Sequence, residues 1–148
     1  MKIDILAIGA HPDDIELGAG ATIAKEIANG KKVGIIDLTR GELGTRGTAE
    51  TRDVEAEDAK NILGASFRVN MGFADGFFVN DKKHQLEIIK MIRKFKPEIV
   101  LCNAFDDRHI DHPKGSKLVS DACFLSGLLK VDTKFDADDT KWQKPWRP

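Results

Sequence analysis

Apolar and polar positions along the chain alternate between two kinds of segment. Residues 3–9 are a short apolar run (Ile3, Ile5, Leu6, Ala7, Ile8) closed by Gly9, which suits a buried strand. From 16 to 28, apolar residues recur at helical spacing (Leu17, Ala21, Ile23, Ala24, Ile27, Ala28), and Gly30 stops the pattern. A second strand is expected over 32–38, around Val33, Ile35 and Ile36. Residues 39–48 hold Gly41, Gly44 and Gly47 with Arg40 and Arg46, and read as a loop. A helix over 49–63 ends at Gly64, and a strand follows over 66–71. Residues 72–80 read as irregular, with Phe77 and Phe78 packing the loop onto the body. The pattern then gives a helix over 84–95 ended by Lys96-Pro97, a strand over 98–102, and a helix over 113–129 with Pro113 in its first turn. Strands alternating with helices predict an α/β fold, a Rossmann-like three-layer sandwich with a mostly parallel sheet covered on both faces. Right-handed crossovers gather the C-terminal ends of the strands on one edge, where such sheets bind ligands. No repeat, low-complexity run or linker interrupts the chain, so residues 1–148 are read as one domain.

Composition narrows the function classes. The chain has 148 residues, 41% apolar and 32% charged, with a formal net charge of -1. That is ordinary for a soluble globular domain and gives no overall field to recruit nucleic acid or an anionic membrane. No apolar run approaches the roughly 20 residues that span a bilayer. The start, Met1-Lys2-Ile3-Asp4-Ile5, lacks the order of a signal peptide. Two cysteines, Cys102 and Cys123, make no disulfide framework; both read as core positions, and a reducing cytoplasm is the expected location. His84, opening a helix, reads as a surface residue. Gly18-Ala19-Gly20 resembles only part of a dinucleotide fingerprint and follows acidic residues, which argues against nucleotide binding. The polar stretch 132–148 carries Trp142 and Trp146, which either fold back or pack on something absent; the expectation is a chain cut short of its natural end, missing C-terminal elements.

Three segments on the ligand-binding edge carry candidate chemistry. In Ala10-His11-Pro12-Asp13-Asp14-Ile15-Glu16, His11 and Asp14 offer an imidazole and a carboxylate suited to a divalent metal. Asp13, beside a ligand, is placed to act as general base. The competing reading makes Asp13 the cap of the following helix, with Glu16 completing a capping box. Asp106-Asp107-Arg108-His109-Ile110-Asp111-His112 brings two of the four histidines together. One of them would complete a three-ligand site with an open position, and the other would face a developing oxyanion or a leaving amine. Asp111 could orient that second imidazole, or simply cap the helix begun at Pro113. The third segment is the glycine-rich loop followed by Arg52. A cation at the start of a helix opposes the dipole, a modest cost that hints at a purpose, whereas Arg40 and Arg46 read as solvated charge.

Ala10-His11-Pro12-Asp13-Asp14 together with His109-x-Asp111-His112 resembles the LmbE-like (PIG-L) de-N-acetylase family. The likeness extends to Thr39-Arg40-Gly41-Glu42, to Arg52-x-x-Glu55 and to Ala74-Asp75-Gly76-Phe77-Phe78. Residues 107–128 look like the subgroup that deacetylates N-acetylglucosaminyl-malate in bacillithiol biosynthesis. The resemblance implies His11, Asp14 and His112 as ligands of zinc (Zn2+, with Fe2+ an alternative), and Asp13 as general base. It makes His109, backed by Asp111, the group that stabilises the intermediate and protonates the amine, with Arg52 contacting substrate. It also implies a small N-acetylated amino sugar as substrate, and homo-oligomers in some members. Ile110 stands where the family often has proline. Family members continue past the position of Trp146 and bring a tyrosine to the pocket; this chain has no tyrosine.

Overall fold

Every residue of Ile5–Gly9 and of Val33–Thr39 is buried, a pattern open only to strands at the centre of a sheet covered on both faces. The computed structural model describes residues 1–133 and 144–148. Its elements alternate as the pattern predicts: β1 (Ile5–Gly9), α1 (Asp14–Ala28), β2 (Val33–Thr39), α2 (Ala49–Leu63), β3 (Phe67–Phe73), α3 (Lys82–Phe95), β4 (Ile99–Cys102) and α4 (Asp111–Ser126). The strands form one sheet in the order β3-β2-β1-β4, with every neighbouring pair parallel.

Alternation along the strands sorts side chains into two cores. Leu6, Ile8, Ile36 and Leu38 face α3 and α4, where Ile88, Ile89, Ile92, Leu118 and Val119 meet them. Ile5, Ala7, Val33 and Ile35 face the other way, onto Ile15 and Ile23 of α1. This is the three-layer sandwich. Gly34 shows how tight the first core is: a Cβ there would lie 2.2 Å from the ring of Phe67, which stacks on Phe95 at 4.0 Å between centroids. Arg68 of β3 ties the second face together. It donates to both oxygens of the buried Asp37 on β2, at 2.7 and 2.8 Å, and pairs with Glu16 of α1.

Helix boundaries follow the caps rather than the apolar pattern. Asp81 accepts from the His84 N–H at 2.9 Å and starts α3 two residues before the expected position. His84 is half-buried rather than on the surface, with its ring edge-on to Phe73 at 4.6 Å. α4 starts two residues early and stops at Ser126 instead of 129. The buried Arg93 explains the stop: its guanidinium takes the carbonyls of Ser126 (3.0 Å), Leu128 (2.8 Å) and Val131 (2.7 Å), turning the chain away from the helix axis. Only one of the paired phenylalanines anchors its loop, since Phe78 is 1% exposed and Phe77 is 77% exposed. Cys102 is exposed, against expectation, because β4 is an edge strand and Cys102 ends it. Cys123 is half-buried, and burial pushes its thiol up to about 11.

Trp146 folds back, donating from Nε1 to the Pro97 carbonyl at 2.6 Å; the expectation for Trp142 lies outside the described residues. Among the described residues, no helix is long and apolar enough to cross a membrane. β1 has β2 on one side and β4 on the other, so the direction of winding reverses there. The crevice above the ends of β1 and β4 is the switch point at which such sheets bind ligands.

Candidate metal and acid-base site

Both histidine segments emerge at this crevice, one directly after β1 and the other after β4. Gly9 makes the first turn feasible: a Cβ there would lie 3.0 Å from Cβ of Asp14 and 3.2 Å from Ile15. The turn swings Asp14 back over the strand end, and its carboxylate becomes the centre of the cluster. Oδ2 of Asp14 accepts from the His11 N–H at 2.9 Å and from Asn103 Nδ2 at 3.0 Å, and lies 3.5 Å from His11 Nδ1. Oδ1 lies 3.3 Å from His112 Nε2. Burial opposes the charge on Asp14, but the bonds from His11 and Asn103 and the nearby His112 outweigh it and hold the carboxyl down at about 2.

Each of these imidazoles is fixed from behind. His11 Nε2 faces Asp75 Oδ1 at 3.1 Å and Asp111 Oδ2 at 3.3 Å, and His112 Nδ1 faces Asp107 Oδ2 at 2.9 Å. A carboxylate on the far nitrogen is the arrangement that orients a metal-binding imidazole and raises its basicity. Two imidazole nitrogens on one carboxylate therefore fit a divalent ion of borderline softness, with zinc and ferrous iron both suited to the set. The ligand atoms of His11, His109 and His112 lie within 4.8 Å of one another, as do those of His11, Asp75 and Asp111. The second group is poorly suited to an ion, because Asp111 already accepts from Lys114 Nζ at 2.9 Å and from the Gly76 N–H at 2.8 Å.

Burial works against a charged His11, yet Asp14, Asp75 and Asp111 prevail and push its pKa up to about 9. Stability and the affinity for an ion at His11 would respond to this shift in opposite senses. The stabilisation from these ion pairs is complete below about pH 6.5, the ordinary histidine value, and is lost as pH rises through about 9. A divalent ion held by His11 would have to expel this proton, so its affinity would rise with pH up to about 9 and each ion bound would release about one proton near neutrality. Calorimetric titration with zinc in buffers of different ionisation enthalpy measures that proton directly.

Asp13 does not cap α1: its side chain makes no cap hydrogen bond, and its backbone sits at φ 148°, ψ -22°, a conformation costly for any residue with a Cβ. Its carboxylate is half-exposed to the crevice. Arg52 Nη2 lies 3.1 Å from Asp13 Oδ2 and donates to the Pro12 carbonyl at 2.9 Å, while Nη1 donates to the Gly41 carbonyl at 3.3 Å. Partial burial, with Asp14 and Glu16 nearby, holds the Asp13 carboxyl above its usual range against the pull of Arg52 and His11. The position of Arg52 at the start of α2 thus has a structural reason, a latch on two loops. Arg40 instead pairs with the exposed Asp53.

His109 stacks on His112 at 4.7 Å and meets the edge of His11 at 4.6 Å. Asp111 departs from its expected place. Its carboxylate contacts His11, Gly76 and Lys114, and only its backbone N–H reaches His109, at 3.3 Å to Nδ1. The cause is topological: Asp111 opens α4 and is fully buried beneath His11, while His109 stands on the exposed loop above. Nor does Asp111 cap the helix. His11, Asp13, Asp14, Arg52, His109 and His112 all line one cavity of about 750 Å³. Sequence reasoning assigned no role to Asp75, Asn103 or Asp107. Asn103 accepts from the Ala10 N–H at 2.9 Å while donating to Asp14, so it locks two strand ends together.

Fold and site define a class first: a Rossmann-like α/β domain with a His/Asp cluster and flanking acid-base groups at the strand switch point. The chain belongs to the PIG-L family, whose model, described as GlcNAc-PI de-N-acetylase, matches residues 6–123. It is 40% identical over 114 residues to the uncharacterized deacetylase YaiS of Escherichia coli K12, covering 73% of this chain and 61% of that protein. It is 31% identical over 134 residues to the diacetylchitobiose deacetylase of Thermococcus kodakarensis, covering 84% of this chain and 50% of that one. Among solved structures, the conserved protein TT1542 of Thermus thermophilus superposes with a TM-score of 0.86 at 39% identity, over 98% of this chain and 62% of that one. The chain thus spans roughly half to three fifths of the length of these relatives.

Proposed function

We propose that the chain carries the catalytic centre of a metal-dependent de-N-acetylase, which hydrolyses the acetamide of an N-acetylglucosaminide to acetate and a free amine. The observation that carries this reading is the convergence of His11 Nδ1 and His112 Nε2 on Asp14, with Asp13 beside them on the wall of the same cavity. His11, Asp14 and His112 would hold the ion, with zinc proposed and ferrous iron an alternative. A bound divalent ion would polarise the acetamide carbonyl and lower the pKa of a water molecule near it. Asp13, with its raised pKa, is suited to take the proton from the attacking water. His109, on the exposed loop, faces the same cavity and is placed to stabilise the oxyanion and hand a proton to the departing nitrogen. Asp111, Asp75 and Asp107 keep the two ligand imidazoles oriented. Arg52 lies within reach of a substrate bound against Asp13.

The finer reading takes N-acetylglucosaminyl-malate as the substrate, in a bacillithiol-type pathway in the cytoplasm. It is supported by the subgroup likeness of residues 107–128. The relatives' names support the broader class, since one is a diacetylchitobiose deacetylase and another a mycothiol S-conjugate amidase. The zinc-loaded chain is expected to release acetate from N-acetylglucosaminyl-malate, and chelator is expected to abolish the release. Saturable sugar binding without acetate would instead assign the chain to a non-catalytic binding module. His112→Ala is expected to weaken metal binding by about 100-fold or more and to lose turnover with it, as read by competition with a chromogenic chelator.

A further inference from the structure

A second cavity, of about 660 Å³, opens beside the first and shares Asp13, Leu17, Gly44 and Arg52 with it as a common wall. Its far side is built by α2. Arg52, Glu55, Ala56 and Ala59 are spaced i, i+3, i+4 and i+7, so they share one face of the helix, and all four line this cavity. In a layered domain such a face ordinarily carries large apolar groups that close against a neighbour. Here α2 has no buried residue, and Ala56 and Ala59 on this face, with Gly44 and Gly47 of the adjoining loop, leave the space open.

The charged groups around this space differ in what holds them. Arg52 is engaged by Asp13 and two carbonyls, and Arg68 by Asp37 and Glu16. Arg46 and Glu55 also line the cavity but form no hydrogen bond or ion pair among the described residues. One offers donors and the other acceptors. Leu17, 84% exposed, adds an apolar surface on which a carbon skeleton can rest. The volume lies within the range of small-molecule sites.

We propose that this annex is the aglycone subsite of the same centre: it receives the oxygen-rich group borne on the anomeric carbon, with Arg46 donating to it and Glu55 accepting from it. The proposal rests on the deacetylase reading. A substrate laid across the Asp13–Arg52 partition keeps its acetamide at the His/Asp cluster and its second half against α2. A second sugar ring meets both groups, offering acceptors to Arg46 and hydroxyl donors to Glu55; malate, its hydroxyl spent in the glycosidic bond, would offer carboxylates to Arg46 alone.

The test compares free N-acetylglucosamine, N,N'-diacetylchitobiose, N-acetylglucosaminyl-malate and n-octyl N-acetylglucosaminide as substrates of the zinc-loaded chain and of its R46A and A59L variants. Alongside it, amide shifts are followed as diacetylchitobiose or the malate glycoside is added to the metal-free chain, where no turnover intervenes. R46A alters an exposed loop and keeps the test sound where A59L fails to fold. The kcat/KM of one or both oxygen-rich glycosides, relative to the free sugar, is expected to fall about tenfold or more in the variants. Amides of Gly44, Gly47, Ala56 and Ala59 are expected to shift, and the glycoside that loses most identifies the aglycone. Acetate release with unchanged ratios and no annex shifts, or preference for the octyl glycoside, overturns the annex while leaving the deacetylase reading intact. Annex shifts without acetate from any substrate overturn the deacetylase reading and leave the annex as a sugar-binding site.

Discussion

Asp13→Asn is expected to cut acetate release by about 10²–10⁴-fold while zinc stays bound. The amide keeps the size and leaves an oxygen beside Arg52, which its own bonds to the Pro12 and Gly41 carbonyls hold in place, but it has no proton affinity to offer the attacking water. Asp13 contributes to none of the contacts that converge on Asp14, so the proposed ligand set remains: of the two adjacent aspartates, His11, Asn103 and His112 bond or pair with Asp14 and not with Asp13. Turnover and metal content measured on the same preparation separate the two effects. A wild-type rate in Asp13→Asn would remove Asp13 from the role of base. Loss of zinc together with activity would recast it as a determinant of the metal site.

The second large effect is on stability. Arg93→Leu is expected to destabilise the fold by about 3–5 kcal/mol, read as a lower urea midpoint at unchanged slope. Arg93 is 1% exposed, and its donors satisfy the carbonyls of Ser126, Leu128 and Val131 and, at 3.3 Å, the hydroxyl of Thr133. A leucine fills much of the volume but leaves those acceptors without donors in a closed environment, each at a cost of roughly 1–3 kcal/mol before relaxation. Arg93→Lys should recover only part of the loss, because a single ammonium cannot reach the spread of acceptors that the planar fork spans. Equal stability of the leucine variant and the parent would mean that the 128–133 segment can rearrange to water without penalty.

The alternation of strands and helices was readable because both periods are local. Val33 to Leu38 carries its own strand signature, and Leu17 to Ala28 its own helix signature. The same locality explains the missed boundaries: Asp81 capping α3 and Arg93 ending α4 act through single polar contacts that apolar spacing does not register. At the site, His11, Asp14, His109 and His112 stood out because rare residue types cluster in two short segments. Asp75 and Asn103 did not. Asp75 lies 64 residues from His11, and Asn103 lies 89 residues from Asp14. Asp75 falls in a segment of the family likeness and Asn103 in none, but neither segment says which distant group its side chain will meet; only the parallel sheet brings them together. Asp111 was assigned to the wrong imidazole for the same reason, since adjacency in sequence favoured His109 while burial under the strand ends delivered it to His11.

The backbone at Asp13 has an evolutionary corollary. A left-handed conformation in a residue that carries a Cβ is retained against its conformational cost, and glycine would relieve that cost at once. A library selected for heat resistance alone should therefore drift to glycine at this position and emerge sturdier but inert. One selected for turnover should hold aspartate there. If Asp13 is the base proposed above, position 13 is where the two pressures pull this domain apart.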